Sequence, residues 1–538
     1  MKRPLLLTTA LLIAGVTLTA CSATAGTASV EATTVSAVSL ASDLDPESVL
    51  AANADYTTAN DDEWSEADAE DIDLSAADGT VTIDSAGVYR LSGSLDGQVV
   101  VTAPEDALVV LILDGAHITN TDGAAIDVQT ADDVAIYLAS GSENSVSDAD
   151  SYAEDAEANA AIYSAEDLTI SGDGSLTVQA NGNDGITSKD DLVILSGDIT
   201  VTAADDALRG KDSLVVEGGT LQLTATAGDG LKSDQEDDAT KGYIYVTGGV
   251  IDITAGDDGL QAQTDTIIAG GTLTVSAVDD GVKGEAIVSV GAGEITVTES
   301  TEAMEAAYIG ISGGVIDLTS SDDGINASGA SELAAAEDGT ADEEAATEQG
   351  PGGMGGGFGD SGERLEISGG TITIDAEGDG LDSNGSLTIT GGDTAVYGPT
   401  RQGNGGIDAN GTITVSGGTL LSLSAGGMEP SVSDGDQGWV IVSASIAAGQ
   451  EVEIVDDAGN TVASFTAEKQ ASSVTYSASE ITNGSTYTVV SGGTELGSAT
   501  AGEGGGSGMG GPGGGGNAGG APGGTQGGTG RGEAPTAR

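Results

Sequence analysis

The chain is poor in the residues on which most catalytic sites depend. Its 538 residues include one cysteine, one histidine and only 3% aromatic side chains. Because Cys21 and His117 are the sole residues of their kinds, the chain cannot form an internal disulfide or a serine- or cysteine-based catalytic set. We therefore predict no catalytic residue, and we interpret His117 as structural.

Basic residues are also scarce. The chain has 14 Lys and Arg against 87 Asp and Glu, which gives a formal charge of −73. Removal of residues 1–20 would take away Lys2 and Arg3 and change this to −75 (−73 − 2). Such a charge excludes nucleic acid as a partner, because binding to phosphates requires cationic side chains. It favours a protein that meets water and cations.

The N-terminus has the features of an export signal. Met1-Lys2-Arg3 is basic, and the apolar run from Leu5 to Thr19 is too short to span a bilayer comfortably. Leu18-Thr19-Ala20-Cys21 then has the spacing of a bacterial lipobox. We predict a lipoprotein signal peptide at 1–20, lipidation of Cys21 and a lipid-anchored location at the cell surface. The alternative is an ordinary secretory signal with a chance cysteine.

Three segments have the composition of unstructured chain. Residues 21–60 are rich in Ala, Ser and Thr and then acidic, which is typical of a flexible spacer. Residues 329–362 contain an acidic Ala/Glu run followed by a Gly-rich run, and we interpret them as a disordered insertion between repeats. Residues 502–538 are almost entirely Gly, Pro, Ala, Thr and Ser, and we predict a disordered tail.

A repeat of about 22 residues fills the middle of the chain. One part is a Gly-Gly turn followed by an alternating strand, as in Gly248-Gly249-Val-Ile-Asp-Ile. The other is Asp-Asp-Gly followed by an aliphatic residue. Its second acid forms what we call the acid column: Asp184, Asp206, Asp229, Asp258, Asp280, Glu302, Asp323 and Asp379. Short strands and Gly turns at a fixed spacing are typical of a β-solenoid.

Alignment on the acid column predicts the cross-section of each coil. Two positions later every residue is aliphatic, from Ile186 to Ile407, and four positions later every residue is small, from Ser188 to Ala409. These positions share the inward face, so positions three and five face outward. The period is not the hexapeptide of left-handed solenoids. We predict an all-β, right-handed parallel β-helix over 61–436 and a short C-terminal β region over 437–501.

The chain resembles the bacterial carbohydrate-binding β-helix family whose type member is a clostridial cellulose- and pectin-binding protein. The similarity covers about Asp61 to Ala501 and includes Gly87-Val-Tyr-Arg-Leu-Ser-Gly93, the Asp-Asp-Gly repeats and Gly426-Gly-Met-Glu-Pro-Ser431. The resemblance implies a right-handed β-helix related in shape to pectate lyases, bound calcium, affinity for plant-wall polysaccharide and no known catalysis. The acid is replaced at Glu302 and missing at Gly405, a departure that bears on any metal site there.

The acids of successive coils should repel one another. Carboxylates about 5 Å apart repel by roughly 3 kcal/mol per pair at an effective dielectric of about 20. Calcium prefers such hard oxygen ligands, although no EF-hand loop is present. We therefore predict Ca²⁺ bound by some of Asp184, Asp205, Asp206, Asp229, Asp257, Asp258, Asp279, Asp280, Asp322 and Asp323. The alternative is that Asp-Gly is turn chemistry with solvated acids.

Five of the 14 basic residues lie three or five positions after an acid of the acid column. They share the outward face and are predicted to contact sugar carboxylates: Lys189, Arg209, Lys211, Lys232 and Lys283. The alternative is that they form intramolecular ion pairs that relieve acid repulsion, and both roles are compatible.

These features predict a non-catalytic, monomeric surface protein that binds polysaccharide. An acidic, polygalacturonate-like glycan is favoured over cellulose, since flat binding to cellulose usually requires a row of aromatic rings. One alternative is a calcium-dependent polysaccharide lyase, with Arg209 or Lys211 as base and Asp184, Asp206 and Asp229 holding the metal. Another is a structural adhesin with no glycan ligand.

Overall fold

The computed structural model describes residues 44–60, 63–153, 156–329, 360–428 and 432–503. Cys21 and the predicted signal peptide lie outside these residues, as do most of the predicted insertion and tail. Helical structure among the described residues is limited to α1 (Pro46–Leu50) and two 3₁₀ turns, Glu66–Asp68 and Leu74–Ala76. In the part of the chain described, no helix has the length and apolar character needed to cross a membrane.

The rest of the fold is built from strands. The first coils contain β1 (Glu70–Asp73), β2 (Thr80–Ile83), β3 (Gly87–Asp96), β4 (Gln98–Thr102), β5 (Leu108–Thr119), β6 (Ile126–Thr130), β7 (Asp133–Leu138), β8 (Glu143–Ser147), β9 (Ala160–Ser164), β10 (Asp167–Gly172) and β11 (Ser175–Ala180). The regular repeat follows with β12 (Asp184–Ser188), β13 (Asp191–Ile194), β14 (Asp198–Ala203), β15 (Leu208–Gly210), β16 (Ser213–Val216), β17 (Thr220–Ala225), β18 (Leu231–Ser233), β19 (Tyr243–Val246), β20 (Val250–Thr254), β21 (Leu260–Ala262), β22 (Asp265–Ile268), β23 (Thr272–Ser276), β24 (Val282–Gly284), β25 (Ile287–Val290), β26 (Glu294–Glu299), β27 (Met304–Ala306), β28 (Tyr308–Ile311), β29 (Val315–Ser320) and β30 (Ile325–Ala327).

After the insertion come β31 (Arg364–Ile367), β32 (Thr371–Ala376), β33 (Leu381–Ser383), β34 (Ser386–Ile389), β35 (Asp393–Tyr397), β36 (Ile413–Val415), β37 (Thr419–Ser424) and β38 (Val432–Asp434). The C-terminal region contains β39 (Trp439–Ile446), β40 (Glu451–Val455), β41 (Thr461–Thr466), β42 (Ala471–Ser477), β43 (Thr486–Ser491) and β44 (Thr494–Thr500).

Each regular coil contributes one strand to each of three parallel stacks. The first stack is a 12-stranded sheet running from β2 to β33 and contains the three-residue strands that follow the acid column. The second contains β10, β13, β16, β19, β22, β25 and β28, and the third contains β11, β14, β17, β20, β23, β26, β29 and β32. The predicted parallel β-helix is confirmed.

The core lies where the alignment of repeats predicts it. The aliphatic residues two positions after the acid column, such as Leu208, Leu231, Leu260 and Val282, have no exposed surface.

Coil stacking also explains the Gly-Gly turns. At the second glycine of one turn, Gly271, φ is +89°, and a Cβ would stand 3.0 Å from the carbonyl oxygen of Gly248 in the preceding coil. A side chain there would meet both backbone strain and a neighbouring coil.

Residues 44–60, which we call the strap, correct the predicted extent of the flexible spacer. The strap packs along the second stack instead. The Ser289 hydroxyl donates to the Leu44 carbonyl oxygen at 2.6 Å, and Leu44 is 3% exposed. Farther along, Asn53 Nδ2 donates to Asp265 at 2.8 Å and the Thr57 N–H donates to Asp191 at 2.8 Å. The local composition of these residues resembles that of a spacer. It could not reveal the contacts, because they join residues more than 130 positions apart.

The C-terminal β region is also present as predicted. Strand β42 pairs antiparallel with β37 of the β-helix and with β39, while β40, β41, β43 and β44 form a separate four-stranded sheet. Its core contains Val440, Val442, Val452, Ile454 and Val489, all without exposed surface.

Candidate functional site

The acid column lies at the entrance to the first stack, where each coil turns into its three-residue strand. Five of its members are buried, with exposed fractions of 1–6%: Asp184, Asp206, Asp229, Asp258 and Asp280. Asp205 is half-buried, whereas Asp257, Asp279 and Asp322, the first acids of their repeats, are exposed. The buried acids are therefore not solvated turn residues, and each requires a partner inside the protein.

One oxygen of most of these carboxylates is bonded to the next coil. Asp206 Oδ1 accepts from the Asp229 N–H at 2.9 Å, Asp229 Oδ1 from the Asp258 N–H at 2.9 Å and Asp258 Oδ1 from the Asp280 N–H at 2.8 Å. Asp323 Oδ1 accepts from the Asp379 N–H at 2.6 Å in the same way. The acid column thus satisfies backbone donors between coils, and the other carboxylate oxygen is left for a cation.

For Asp206, Asp229 and Asp280 that cation is a side chain of the protein. Lys232 Nζ lies 2.7 Å from Asp229 Oδ2 and 3.5 Å from Asp206 Oδ2. Lys283 Nζ lies 2.7 Å from Asp280 Oδ2 and 2.9 Å from Glu305 Oε2. Each ammonium group therefore bridges two carboxylates.

Arg209 has a similar role one coil earlier. Its guanidinium lies 3.4 Å from Asp184 Oδ2 and forms a close ion pair with Asp234. Asp184 also accepts from the Thr187 hydroxyl at 3.1 Å and from Asn183 Nδ2 at 2.8 Å. The alternative role for the basic residues, relief of acid repulsion, is thus present in the structure at Arg209, Lys232 and Lys283.

Lys189 and Lys211 differ from the other three predicted sugar ligands. Both are half-buried, and neither has a carboxylate within 4 Å among the residues that the structure describes. Burial, together with the charge of Arg209, lowers the pKa of Lys189. Within the described part of the chain, no carboxylate pairs directly with either ammonium group.

Burial and neighbouring charges shift the pKa values of several side chains in the acid column and of Lys232. For Lys232, burial acts to lower the pKa, but the nearby Asp206 and Asp229 carboxylates outweigh it and raise the pKa. Burial raises the pKa of Asp206 to about 7, with a further contribution from the negative charge of Asp184. Burial likewise raises the pKa of Asp258 to about 7. The column is therefore under electrostatic strain at neutral pH.

Three groups of acids have carboxylate oxygens within 4.8 Å of one another, close enough to share a metal ion: Asp257, Asp258 and Asp279; Asp280, Glu302 and Glu305; and Asp379, Asp382 and Asp408. The first group consists entirely of predicted metal ligands. The second includes the predicted Asp280, but Lys283 already supplies positive charge there. The remaining predicted ligands, Asp184, Asp205, Asp206, Asp229, Asp322 and Asp323, belong to none of the three groups.

The third group lies near the end of the β-helix. Burial raises the pKa of both Asp379 and Asp382 to about 7, and the charges of Asp323 and Asp408 add to the effect. In the described part of the chain, none of these three acids has a basic side chain within 4 Å. Three crowded oxygen donors without a counter-charge fit Ca²⁺, which takes six to eight hard oxygen ligands.

Five of the acids in these groups were not predicted as metal ligands from the sequence: Glu302, Glu305, Asp379, Asp382 and Asp408. Glu302 and Asp379 belong to the acid column, and the other three stand among the outward residues three positions after it or after the incomplete repeat at Gly405. Their negative charge on an outward face was a usable signal, because it replaces the Lys or Arg of earlier coils.

Comparison with known proteins gives one family match. The model of the carbohydrate-binding domain-containing protein family matches residues 77–334 and 267–398. A carbohydrate-binding domain-containing protein of Acetivibrio thermocellus is 42% identical over 200 residues, which cover 36% of this chain and 70% of that protein. The matched family segments include the whole acid column.

Among solved structures, the chain is similar to the polysaccharide lyase-like protein from C. thermocellum, determined as a gadolinium derivative. The two are 32% identical, with a TM-score of 0.35, and the match covers 46% of this chain and 93% of that one.

Proposed function

The chain belongs to the carbohydrate-binding domain-containing protein family, and from that membership we propose that it is a non-catalytic, lipid-anchored surface protein that binds acidic polysaccharide with calcium. The observation that carries the calcium part is the group formed by Asp379, Asp382 and Asp408. Its oxygens lie within 4.8 Å of one another, and no basic side chain of the described residues lies within 4 Å of them. A bound divalent cation would remove their mutual repulsion.

An acidic glycan fits the surface around such ions. Calcium held by three protein carboxylates retains open coordination positions, and sugar carboxylates would fill them. Lys189 and Lys211 would add direct contacts, since their ammonium groups have no protein carboxylate within 4 Å among the described residues. Arg209, Lys232 and Lys283 would contribute less to sugar binding, because their charges are already shared with the acid column.

Two observations favour binding over cleavage. In the lyase alternative, Asp184, Asp206 and Asp229 hold the metal, but Lys232 already bridges Asp206 and Asp229. Arg209, one candidate base, is paired with Asp184 and Asp234. Burial acts to lower its pKa, but these carboxylates outweigh it and raise the pKa. A protonated guanidinium is a poor proton acceptor.

The proposed location depends on Cys21, which lies outside the described residues. Changing Cys21 to Ala should abolish acylation and move the protein from the membrane fraction to the medium or to an unprocessed precursor. Metabolic labelling with a fatty acid measures this directly. Full labelling of the Cys21→Ala protein would contradict the assignment.

Binding to polygalacturonate with and without a calcium chelator tests the main proposal. Calcium should raise both the affinity and the melting temperature of the wild-type protein. The double variant Asp379→Asn/Asp382→Asn should lose most of both effects. Glu453→Gln/Asp457→Asn is the matched control, because these two acids are exposed on the C-terminal region and the variant has the same change in charge.

Two results would contradict the proposal. Binding and melting that are unchanged by the chelator would leave the acid groups without a metal role. Release of unsaturated uronides from polygalacturonate would establish the lyase alternative instead. The adhesin alternative predicts no retention of the wild-type protein on any glycan gel.

A further inference from the structure

One coil of the β-helix carries an insertion between the first and second stacks, which we call the acidic loop (residues 234–242). It joins β18 to β19 with nine residues, whereas the corresponding loops of nearby coils have two residues each: 211–212, 263–264 and 285–286. The insertion explains why the step from Asp229 to Asp258 is 29 residues while the step from Asp258 to Asp280 is 22. The acidic loop contains four acids and one lysine, so it is a negatively charged segment at a position where two earlier coils carry lysine.

The acidic loop is fixed near both of its ends. At its start, Gln235 Nε2 donates to the Asp212 carboxylate at 2.7 Å. At its end, Lys241 forms a close ion pair with the same carboxylate. The strap holds it from outside the β-helix, because the Ala54 N–H donates to the Thr240 carbonyl oxygen at 2.7 Å. The loop therefore holds its first residue, Asp234, in a defined place.

Asp234 lies among the basic residues of the outward face. It stands five positions after the column acid Asp229, and the two preceding coils have Lys189 and Lys211 at that position. Its carboxylate forms a close ion pair with Nη2 of Arg209. An acid of the protein thus occupies a guanidinium that lies between two lysines without a carboxylate of their own within 4 Å in the described chain.

The ion pair between Arg209 and Asp234 is incomplete. Asp234 uses Oδ2 alone, and Asp234 Oδ1 and Arg209 Nε are buried without a hydrogen-bond partner among the described residues. On its other side the guanidinium lies 3.4 Å from Asp184. A guanidinium binds a carboxylate best through two parallel hydrogen bonds. A carboxylate that replaced Asp234 and bonded both Nε and Nη2 would satisfy the atom that Asp234 leaves unpaired.

We propose that Asp234 is a specificity-determining residue that competes with sugar carboxylates for Arg209. In the free protein it occupies the guanidinium, and a bound polyanion takes its place when the Asp234 side chain rotates away. A glycan with closely spaced carboxylates also contacts Lys189 and Lys211, and these contacts drive the exchange. A weakly charged glycan lacks them, so Asp234 sets a threshold of charge density. The inference rests on the proposed binding of acidic polysaccharide and concerns how that site selects its ligand.

The affinity of Asp234→Asn for polygalacturonate, measured by calorimetry with calcium present, tests the inference. The variant leaves Arg209 free of its competitor, so the affinity should rise about fivefold. A purely structural ion pair predicts no gain, since its loss would only loosen the face. The melting temperature should change little, because Arg209 keeps its contact with Asp184. Fully methyl-esterified polygalacturonate has no carboxylates and should show no gain.

A second substitution in the same loop is the matched control. Asp237→Asn makes the same change in charge, but Asp237 is exposed and has no basic side chain within 4 Å among the residues that the structure describes. Its affinity for polygalacturonate should change by less than about twofold. Arg209→Gln added to Asp234→Asn should cancel the gain, because the two substitutions act on one interaction.

The outcomes for the inference and for the proposed function can be told apart. No gain in Asp234→Asn, or an equal gain in Asp237→Asn, would overturn the inference even where the wild-type protein binds polygalacturonate with calcium. Wild-type protein that does not bind polygalacturonate would contradict the proposed function. In that case, binding by Asp234→Asn but not by Asp237→Asn would still support the inference, and binding by neither would overturn it.

Discussion

The middle and the C-terminal coils of the β-helix carry the same acid column but balance its charge differently. In three of the middle coils, the residue three positions after the column acid is basic: Arg209, Lys232 and Lys283 follow Asp206, Asp229 and Asp280. Near the end of the β-helix the same position after Asp379 is Asp382. One region therefore contains its own cation, while the other gathers three acids without a basic partner in the described chain.

This difference indicates which acids are structural and which are available to a ligand. In both regions, a column oxygen accepts a backbone N–H of the next coil, from Asp258 for Asp229 and from Gly405 for Asp379. The column acids thus join neighbouring coils in both regions. What varies is the source of positive charge for the second oxygen. Lys232 and Lys283 supply it for Asp229 and Asp280, whereas among the described residues no basic side chain lies within 4 Å of Asp258, Asp379 or Asp382.

Removing the ammonium group of Lys232 should cause the largest loss of stability. Lys232→Met retains the hydrocarbon chain but leaves Asp206 and Asp229, 3% and 1% exposed, without their shared ammonium. Loss of one partner from a buried ion pair costs about 3–5 kcal/mol, and the partial exposure of Lys232 reduces our expectation to about 2–4 kcal/mol. Denaturant unfolding without calcium at pH 8 measures this loss in the free energy of unfolding.

A control and a change of pH sharpen this test. Lys211→Met should cost less than about 0.5 kcal/mol, because no carboxylate lies within 4 Å of Lys211 among the described residues. Burial raises the pKa of Asp206 to about 7, so at pH 5 protonation would remove part of the repulsion in Lys232→Met. Equal losses at pH 5 and pH 8 would show that packing, not charge, explains the effect.

Converting the C-terminal coils to the middle pattern should remove their response to calcium. Asp382→Lys places an ammonium three positions after Asp379, as Lys232 follows Asp229. Calcium at about a hundredfold excess over its Kd stabilises a single site by about 2.7 kcal/mol, and the variant should lose this contribution from the C-terminal group. Calorimetric titration should show fewer bound ions. An unchanged number of ions would separate this group from calcium binding.

The pH dependence without calcium should be opposite to that of most salt-bridged proteins. Burial and neighbouring acids raise the pKa of Asp258, Asp379 and Asp382 to about 7, well above their values in an unfolded chain. The stability from their protonated forms is complete below about pH 4 and is lost as pH rises through 7. Melting temperature should therefore fall between pH 6 and pH 8, by the equivalent of about 1–2 kcal/mol for each of these acids.

Saturating calcium makes that measurement specific. Calcium favours the ionised acids of the C-terminal group, so the decline between pH 6 and pH 8 should become shallower. Asp382→Lys should also show a shallower decline in the absence of calcium. A melting temperature that rises steadily over this range would contradict the proposed strain in the acid column.

The sequence predicted the coil well because stacking imposes a repeated requirement on each copy. The aliphatic residue after each Asp-Asp-Gly, such as Leu208 or Leu260, has to fill the same core position, so the repeat itself exposes the cross-section. Lys232 and Lys283 could likewise be placed on the outward face, next to the acid column. Whether they neutralise acids or contact sugar depends on distances of 2.7 Å between side chains, which an alignment cannot supply.

Features without a repeat were harder to predict. The strap has no periodic pattern, and its contacts, such as Asn53 with Asp265, join distant parts of the chain. The group of Asp379, Asp382 and Asp408 was missed because it combines the repeat at Asp379 with the incomplete repeat at Gly405. Its members become neighbours only when the last coils stack, and the sequence separation between Asp382 and Asp408 gives no direct sign of that.

The smallest expected effect concerns two glutamates in the group beside Lys283. Burial raises the pKa of Glu302 to about 8, so it is mostly protonated at pH 7, and Asn326 Nδ2 donates to it at 3.0 Å. For Glu305, burial acts to raise the pKa, but the Ser328 hydroxyl at 2.7 Å and Lys283 at 2.9 Å outweigh it and lower the pKa. The two carboxyls are therefore expected in different charge states.

Replacement by glutamine distinguishes these states. Glu302→Gln replaces a neutral acid with a neutral amide whose carbonyl oxygen can accept a hydrogen bond from Asn326. The free energy of unfolding at pH 7 without calcium should therefore change by less than about 0.5 kcal/mol. Glu305→Gln removes the charge that pairs with Lys283 and should cost about 1–2 kcal/mol. Above pH 8 the Glu302→Gln protein should become the more stable one relative to wild type, since it avoids ionising a buried acid. Equal costs for the two variants at pH 7 would show that both glutamates are charged. Lys283 would then fail to balance its group, and the contrast between the middle and C-terminal coils would not hold.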